Sequence, residues 1–327
     1  MKIVLSRTDR VGDLILSTPA IASIRASFPE AHVTAICSRH NRVVVERNPD
    51  IDALVVLEDG ERPSAAGRRL RGADLAIALA PRTADFAIVA ATRARRRIGY
   101  TYVRRYLVRA AARLRLTDVL ISEADPMLCE RDPSRVVPHE VDQVLALVER
   151  AGGTRIVRDL VVPIGEDERG AVAGLPSGAI TVQLSQRWLA VGSTQENVFQ
   201  LLRDLRVFGR PIVATYGEES NVLGEAVRSS GLADRVAGAL PFLVWAAAIE
   251  RAGCVVTVDT GATHVASAMR RPTVVLFEHR FFRLSSQEWS PYRVPGRSLR
   301  KPPDERPESL QRSRAEIVAA VRSLLDA

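Results

Sequence analysis

The feature that most constrains the fold is a repeated alternation of short apolar segments, rich in β-branched residues, with longer segments of helical periodicity. Several of the short segments are apolar throughout, as expected of parallel strands that are covered on both faces. The alternation occurs once in each half of the chain and predicts two doubly wound α/β domains. We expect strands at residues 3–5, 32–37, 53–57, 74–79, 180–184, 212–216, 235–237, 255–259 and 273–277, and helices at 14–28, 141–151, 197–208 and 242–252.

The boundary between the two halves is predicted within residues 152–178. There Ala-Gly-Gly ends a helical segment, a short strand is expected at 160–163, and a charged, glycine-containing stretch follows. A chain of 327 residues is long enough for two hydrophobic cores. We therefore predict a first domain over residues 1–160, a second over 161–310 and a closing helix over 311–327, its helical pattern starting at Pro307.

Composition restricts the class of protein. Hydrophobic residues make up 46% of the chain and charged residues 26%, which is typical of a soluble globular protein. No apolar run approaches the roughly 18 residues that a membrane-spanning helix needs. Cys37, Cys129 and Cys254 lie far apart and form neither a disulfide framework nor a zinc-binding spacing, so a reducing cytoplasmic location is expected.

The net charge is +8, and positive charge is concentrated between residues 86 and 117, where there are nine arginines and no acid. If residues 102–116 form a helix, Val103, Tyr106, Ala110 and Leu114 line one face and the arginines lie away from it. Such a segment attracts anions or an anionic membrane surface, or is a solvated face in an arginine-rich protein. Nucleic-acid binding is not expected, because no basic motif flanked by aromatic residues is present. The arginines are Arg93, Arg95, Arg96, Arg97, Arg104, Arg105, Arg109, Arg113 and Arg115.

The corner between the first strand and the first helix carries a carboxylate, Asp13. A nicotinamide dinucleotide is not expected there, because the loop 6–12 has a single glycine and the chain has no Gly-x-Gly-x-x-Gly motif. Ligands of parallel sheets bind outside the carboxyl ends of the strands, which places Asp13 at a functional edge. Alternatively, Asp13 stabilises the N-terminus of the helix through the helix dipole.

A second informative segment is residues 254–278, in which a buried strand ends in Asp259-Thr260-Gly261 and a helix follows that carries Thr263 and His264. Backbone amides, hydroxyls and an imidazole at a helix N-terminus suit a diphosphate. Capping alone requires neither the glycine nor the histidine, so we favour the binding site. An aspartic protease is not expected, because it needs two such carboxylates in an all-β fold and this chain has one Asp-Thr-Gly.

Together these segments resemble the heptosyltransferases of bacterial lipopolysaccharide assembly, glycosyltransferase family nine. The most specific similarities are Gly12-Asp13 with Thr18-Pro19 downstream, and Asp259-Thr260-Gly261-x-x-His264. Weaker similarities are Arg97-Ile-Gly-Tyr100, His139-Glu140 and Gln186-Arg-Trp188. The resemblance implies an α/β fold of the GT-B type, in which two doubly wound Rossmann-like domains face a central cleft, the first holding the acceptor and the second the donor.

The resemblance also implies an inverting glycosyltransferase that moves a sugar, heptose, from a nucleotide-diphosphate donor to a lipopolysaccharide-type or other glycan acceptor. Such an enzyme is expected to need no cofactor and no metal. Its expected donor substrate is ADP-heptose, and its expected acceptor is an anionic, lipid-linked glycan. Because that acceptor lies in a membrane, we expect the enzyme to be cytoplasmic and peripheral on the inner face of the cytoplasmic membrane. Asp13 corresponds to the general base. The donor-binding residues are Arg187, Asp259, Thr260, Gly261, Thr263 and His264, and the acceptor-binding residues are Arg10, Gly12, Arg95 and Arg97.

The sequence also departs from the family pattern near the expected donor site. A lysine and a tryptophan that approach the donor phosphates in the family are replaced by Val191 and Ser193, and a glycine after the strand at 273–277 is replaced by Glu278. Arg187 is a candidate substitute for the lysine. The alternative hypothesis is therefore a catalytically degenerate relative that binds nucleotide sugars or serves as a scaffold.

Overall fold

The computed structural model describes residues 1–190 and 193–326. The chain divides into two compact units, Met1–Pro163 and Ile164–Ala327. Each unit contains one parallel six-stranded sheet with helices packed against it, which confirms the predicted α/β class.

The first sheet has the strand order β3-β2-β1-β4-β5-β6, and all of its neighbouring strands are parallel. The order reverses beside β1, which therefore marks the topological switch point, where ligands of such sheets bind. The strands are β1 (Lys2–Ser6), β2 (His32–Ser38), β3 (Ala53–Leu57), β4 (Leu75–Ala78), β5 (Arg96–Tyr102) and β6 (Asp118–Ser122). The helices are α1 (Val11–Ser27), α2 (Pro63–Arg68), α3 (Thr83–Ala91), α4 (Tyr106–Arg115), α5 (Pro126–Arg131) and α6 (Glu140–Ala151).

The second sheet has the order β12-β11-β10-β7-β8-β9, again entirely parallel. Numbered from its own first strand, this is the same order as in the first unit, with the reversal beside β7. The strands are β7 (Ala179–Leu184), β8 (Ile212–Tyr216), β9 (Arg235–Gly238), β10 (Ala252–Val258), β11 (Thr273–Phe277) and β12 (Gly296–Arg300). The helices are α7 (Glu166–Ala171), α8 (Gln195–Leu205), α9 (Asn221–Ser230), α10 (Phe242–Glu250), α11 (Gly261–Ala268), α12 (Phe282–Glu288) and α13 (Pro307–Leu325).

The predicted closing helix is α13, which begins at Pro307 and belongs to the second unit. Its Ile317 and Val321 are buried in the same hydrophobic core as strands β7, β8 and β10. No helix of the described residues combines the length and the apolar character that crossing a membrane requires.

Three strands were not predicted, namely β5, β6 and β12. Each carries charged residues, such as Arg96 and Arg97 in β5 and Arg297 in β12, which conceal the apolar pattern. Strands β6 and β12 are also the edges of their sheets, and their residues are mostly half-buried. Because β5 continues to Tyr102, the helix expected over 102–116 begins only at Tyr106.

The strand expected at 160–163 is not regular secondary structure. The backbone of residues 157–161 instead runs along α1 and is held by hydroxyl groups of that helix. The amide of Val157 donates to Ser23 Oγ over 2.8 Å, and the amide of Val161 donates to Thr18 Oγ1 over 2.9 Å. The backbone hydrogen bonds of this segment are therefore satisfied by side chains and not by a sheet.

Helix α1 continues through Pro19, which has no amide hydrogen to offer the carbonyl of Ile15. The hydroxyl of Thr18 donates to that same carbonyl oxygen over 2.7 Å. Thr18 therefore compensates for the proline and anchors the 157–161 segment at the same point, which explains why the Thr-Pro pair occurs within a helix.

Helices α2 and α3 pack so closely that only glycine fits at position 67. A Cβ atom at Gly67 would lie 2.1 Å from the carbonyl oxygen of Ile88 and 2.9 Å from the Cβ of Ala91. The obstacle is the backbone of α3, which cannot yield as a flexible side chain would. In contrast, a Cβ atom at Gly170 in α7 would have no atom within 4 Å, so space is open there.

We predict that Gly67→Ala destabilises the protein by about 1–3 kcal/mol through overpacking. The matched helical variant Gly170→Ala should be neutral or stabilising by up to about 1 kcal/mol, because alanine has the higher helix propensity. Denaturant unfolding monitored by circular dichroism measures both. Equal effects of the two substitutions would contradict the close packing of α2 against α3.

Candidate active site

The candidate site residues of each unit lie where its strands end, beside the switch point. In the first unit, Arg7 follows β1 and Asp13 lies in the first turn of α1. In the second unit, Arg187 follows β7 and Asp259 follows β10. Strands β7 and β10 are hydrogen-bonded neighbours, so the ends of both lie at one edge of the sheet.

The guanidinium of Arg7 is the centre of the first group. The residue is 3% exposed, and its Nη1 donates to Glu140 Oε1 and to the carbonyl oxygen of Leu79, both over 2.7 Å. Its Nε donates to Asp9 Oδ1 over 3.0 Å. Burial lowers the pKa of Arg7, but the carboxylates of Asp9, Glu140 and Asp13 outweigh burial and raise it well above its usual value. Arg7 is therefore a permanent buried cation.

Asp13 lies 3.5 Å from this cation, measured from its Oδ1 to Arg7 Nη2, and its side chain is 20% exposed. Burial raises the pKa of Asp13 to about 7; Arg7 opposes the shift, while Asp9 and Glu140 add to it. The N-cap of α1 is Arg10, and Asp13 lies in the first turn of the helix, where its carboxylate also interacts favourably with the helix dipole. A partly exposed carboxyl group with a pKa near neutrality can take up a proton at physiological pH.

Glu140 and Tyr100 complete the surroundings of Arg7 and were not assigned from the sequence. The Tyr100 hydroxyl donates to Glu140 Oε1 over 2.6 Å, and both residues are buried. Burial, followed by the Glu140 carboxylate, raises the pKa of Tyr100 well above its usual value. The only sequence signals for them were the weaker family similarities, Arg97-Ile-Gly-Tyr100 and His139-Glu140.

A second buried carboxyl group, Asp85 in the first turn of α3, supports the loop after β1. It is fully buried, and its Oδ1 accepts from the hydroxyl of Ser6 over 2.8 Å and from the amide of Thr8 over 3.1 Å. Burial raises the pKa of Asp85 to about 6, although the hydrogen bond from Ser6 lowers it. Asp85 was missed because nothing in its sequence context distinguishes it.

The four predicted acceptor residues do not lie together. Gly12 is buried in the first turn of α1 beside Asp13, and Arg10 is exposed at the start of that helix. Arg95 and Arg97, in contrast, lie at the amino end of β5, whereas Asp13 follows the carboxyl end of the parallel strand β1.

The prediction that Arg95 and Arg97 share a site with Asp13 is therefore corrected. Arg97 instead binds nearby backbone carbonyl groups. Its Nη1 donates to the carbonyl oxygen of Ala94 over 2.7 Å, and its Nε donates to that of Arg115 over 2.9 Å. The error arose because β5 was not recognised as a strand, so its direction was unknown.

The predicted donor residues of the second unit do come together. Arg187 Nη1 donates to the carbonyl oxygen of Asp259 over 2.5 Å and to its Oδ2 over 3.1 Å. Thr260 is the N-cap of α11, its hydroxyl accepting from the amide of Ala262, and Gly261 is the first residue of that helix. A half-exposed guanidinium thus lies beside a helix N-terminus, an arrangement that attracts anions.

Thr263 and His264 are the third and fourth residues of α11 and are 1% and 6% exposed. The hydroxyl of Thr263 has no hydrogen-bond partner among the residues that the structure describes. Within the same described ranges, no cluster of three or more His, Cys, Asp and Glu side chains is arranged to hold a metal ion.

Three positions depart from the family pattern, and the structure describes the surroundings of two of them. Val191 lies outside the described residues. Ser193 is buried and accepts a hydrogen bond from Asn197 Nδ2 over 3.1 Å. Glu278 forms an ion pair with Lys301, its Oε1 lying 2.9 Å from the Nζ, and this lysine was not assigned from the sequence.

Part of the chain matches a known family in sequence, and the whole chain matches known structures in fold. Residues 208–302, which include Asp259–His264, match the model of glycosyltransferase family 9 (heptosyltransferase). A search of the curated proteins found no match. The fold matches a family 9 glycosyltransferase from Veillonella parvula with a TM-score of 0.77 at 19% identity, covering 99% of this chain and 97% of the other.

Two Escherichia coli structures also share the fold over their full length. ADP-heptose LPS heptosyltransferase II has a TM-score of 0.74 at 18% identity, covering 99% of this chain and 98% of the other. Heptosyltransferase WaaC with ADP has a TM-score of 0.71 at 14% identity, covering 100% of both chains.

The two parallel six-stranded sheets give the chain the GT-B type of fold found in these glycosyltransferases, and part of its second unit matches the family 9 model. More particularly, the predicted resemblance to the family 9 heptosyltransferases is confirmed, by sequence in residues 208–302 and by fold over the whole chain.

The elevated pKa of Asp85 leads to a prediction about stability. Its folded-state value of about 6 lies above the ordinary value of an unfolded aspartate, about 4, so the folded state binds the proton more tightly. The stability due to Asp85 is therefore fully present below pH 4 and is lost as the pH rises to 6. Asp85→Asn should gain stability relative to the wild type over this range, by at most about 3 kcal/mol.

Denaturant unfolding of both proteins between pH 4 and 7 measures the difference. Asp52→Asn is a control of opposite sign, because hydrogen bonds from the Val33 amide and from Arg25 lower the pKa of Asp52. This control should lose stability relative to the wild type as the pH rises towards about 5, and its difference from the wild type should then stay constant up to pH 7, because both the folded and the unfolded aspartate are ionised there. A pH-independent difference for Asp85→Asn would show that its carboxyl group does not titrate abnormally.

Proposed function

We propose that this protein is an inverting, metal-independent glycosyltransferase that moves a heptose from a nucleotide-diphosphate donor, ADP-heptose, to an anionic lipopolysaccharide-type acceptor, with Asp13 as general base. The family match in the second unit supports the nucleotide-sugar donor. The proposed acceptor and the proposed inversion of configuration at the anomeric carbon rest on the family resemblance.

The observation that carries the mechanism is the carboxyl group of Asp13. It is partly exposed at the end of β1, at the switch point of its sheet, and its pKa is about 7. A general base works best when its pKa lies near the working pH, because it is then ionised yet basic enough to accept a proton. Arg7 holds the carboxylate in place without neutralising it fully, since Asp9 and Glu140 share the same cation.

In the proposed step, the acceptor hydroxyl gives its proton to Asp13 while its oxygen forms a bond to the anomeric carbon of the donor sugar. The bond between that carbon and the diphosphate oxygen breaks, and the nucleoside diphosphate leaves with the electron pair. A single displacement of this kind inverts the configuration at the anomeric carbon.

The leaving diphosphate gains negative charge and needs stabilisation. Arg187 and the N-terminus of α11 at Gly261 are the groups that we assign to it, with Thr260 and the buried Thr263 as hydroxyl donors. Fixed donors and dipoles of this kind stabilise a developing charge because they need not reorient during the reaction.

We predict that Asp13→Asn lowers the transfer rate by about 10²–10⁴-fold while leaving the fold and donor affinity almost unchanged. In the wild type, kcat/KM should rise with pH until about 7 and then level off, because only the ionised carboxylate accepts the proton. A steady-state transfer assay across pH 5–9, with ADP-heptose and a lipid-linked acceptor, measures both effects.

Asp9→Asn is the matched control. Asp9 helps to raise the pKa of Asp13, so its replacement should move the midpoint of the pH profile to lower pH while retaining the rate at pH 8. An Asp13→Asn variant that keeps a tenth or more of the wild-type rate would remove Asp13 from the role of base. Donor binding without turnover on any acceptor would favour the non-catalytic, nucleotide-sugar-binding alternative.

We also propose peripheral attachment to an anionic membrane surface, the cytoplasmic face of the inner membrane, through α4. This helix buries Ala112 and exposes an apolar stripe: Tyr106 is 64% exposed, Leu107 87% and Leu114 85%. Val103, expected on this stripe, precedes the helix. Arginines flank the stripe, namely Arg104, Arg105, Arg109 and Arg113.

An exposed apolar stripe with a basic margin is typical of helices that lie in the membrane interface. Each basic residue near an anionic surface contributes about 1 kcal/mol, and the attraction decays within a Debye length of about 8 Å at physiological salt. Membrane attachment therefore accounts for this segment better than the alternative of a solvated helix face. Solvation does not explain why two leucines are almost fully exposed.

We predict that the protein sediments with anionic vesicles at low salt and is released at about 0.5 M salt, where screening is short-ranged. Replacing Arg104, Arg105 and Arg109 with glutamate should lower the partition coefficient by about 100-fold or more. The same change of charge at Arg68, Arg71 and Arg131, exposed elsewhere in the first unit, should have a smaller effect. Equal binding to neutral vesicles, or none to anionic ones, would reject attachment through α4.

A further inference from the structure

Lys301 is unusual in this chain because nearly every other basic residue is arginine. The 46 basic residues include only two lysines, Lys2, which is exposed, and Lys301, whose side chain is 0% exposed. Arginine carries a large planar fork, whereas lysine carries a compact ammonium group with three donors. The fully buried position 301 accommodates the compact ammonium group.

The ammonium group connects two segments at the carboxyl edge of the second sheet. Lys301 is the first residue after β12, and its amide donates to the carbonyl of Phe277 over 2.9 Å. Its Nζ donates to the carbonyl oxygen of Arg187 and to Glu278 Oε1, the latter over 2.9 Å. A buried ammonium needs such partners, because a charge that leaves water without them is strongly destabilising.

This connection reaches the predicted donor site through Arg187. The backbone of Arg187 is held by Lys301, and its guanidinium is held by Asp259, the residue before the N-cap of α11. Residues after four strands, β7, β10, β11 and β12, are thereby linked. Along this chain of contacts the two cations, Lys301 and Arg187, lie between two carboxylates, Glu278 and Asp259.

We propose that Lys301 is a positioning residue for nucleoside diphosphate binding: it fixes the turn that carries Arg187 and supplies a buried positive charge beneath the diphosphate site, with Glu278 as its counter-ion. This inference rests on the proposed function and deepens it. A buried charge is screened only weakly by salt and water, so it acts on a nearby diphosphate more strongly than an exposed one. Glu278, which is 37% exposed, reduces that positive potential when no ligand is present.

The inference predicts effects of opposite sign for the two partners. Lys301→Met removes the positive charge and should weaken binding of a nucleoside diphosphate at least tenfold. Glu278→Gln removes the negative charge but keeps an oxygen that can accept from the ammonium, so it should tighten binding severalfold. Binding of the uncharged nucleoside should change less than twofold in either variant, because it has no diphosphate.

Isothermal titration calorimetry of the full chain with ADP, UDP, adenosine and uridine tests this. If Lys301 served only to hold the fold, both variants would weaken binding or leave it unchanged, and a Glu278→Gln variant that fails to bind diphosphate more tightly overturns the proposal. That variant decides the question even if Lys301→Met does not fold. A wild-type protein that binds neither ADP nor UDP would overturn the proposed function itself, which distinguishes the two failures.

Discussion

The buried guanidinium of Arg7 is the interaction on which the first unit depends. It joins the end of β1 to α6 through Glu140, to the end of β4 through the Leu79 carbonyl, and to Asp9 and Asp13 in the adjoining loop and helix. Burying a charge is costly unless its partners are complete, and removing one partner of a buried pair costs about 3–5 kcal/mol. The contacts of Arg7 therefore hold the first strand, the loop after it and α6 together. The same cation and its other carboxylate partners determine the electrostatic environment of Asp13.

The two units share one strand order but use their switch points differently. In the first, several carboxyl groups share one cation, so that burial dominates at Asp13 and its pKa rises to about 7. In the second, Arg187 lies beside the N-terminus of α11, an arrangement suited to binding an anion. A proton acceptor and an anion site are the two functions that the proposed transfer from a nucleotide sugar requires. The same architecture thus supports both through the choice of side chains at equivalent edges.

Much of the fold was predictable because its strands are buried on both faces and therefore apolar. Most of the nine predicted strands follow that pattern, although β3 is half-buried and β9 begins with the exposed Arg235; β5, in contrast, begins with two arginines, and β6 and β12 are half-buried edge strands. Missing β5 also misplaced Arg95 and Arg97, which lie at its amino end. A helix that exposes its apolar residues, as α4 does with Leu107 and Leu114, was equally hidden, because periodicity does not say which face is covered.

The sequence by itself determined the α/β class, the two-fold alternation, and the positions of Asp13 and Asp259. Asp259 directly follows a strand that the apolar pattern reveals, and Asp13 lies in the first turn of the helix after such a strand. Only the tertiary structure decided what surrounds them. Glu140 is 133 residues from Arg7, and Lys301 is 114 residues from Arg187, yet each pair is in direct contact. The physical reason is that a local pattern records which residues avoid water, whereas the energy of a buried charge depends on partners that the folded chain brings from far along its length.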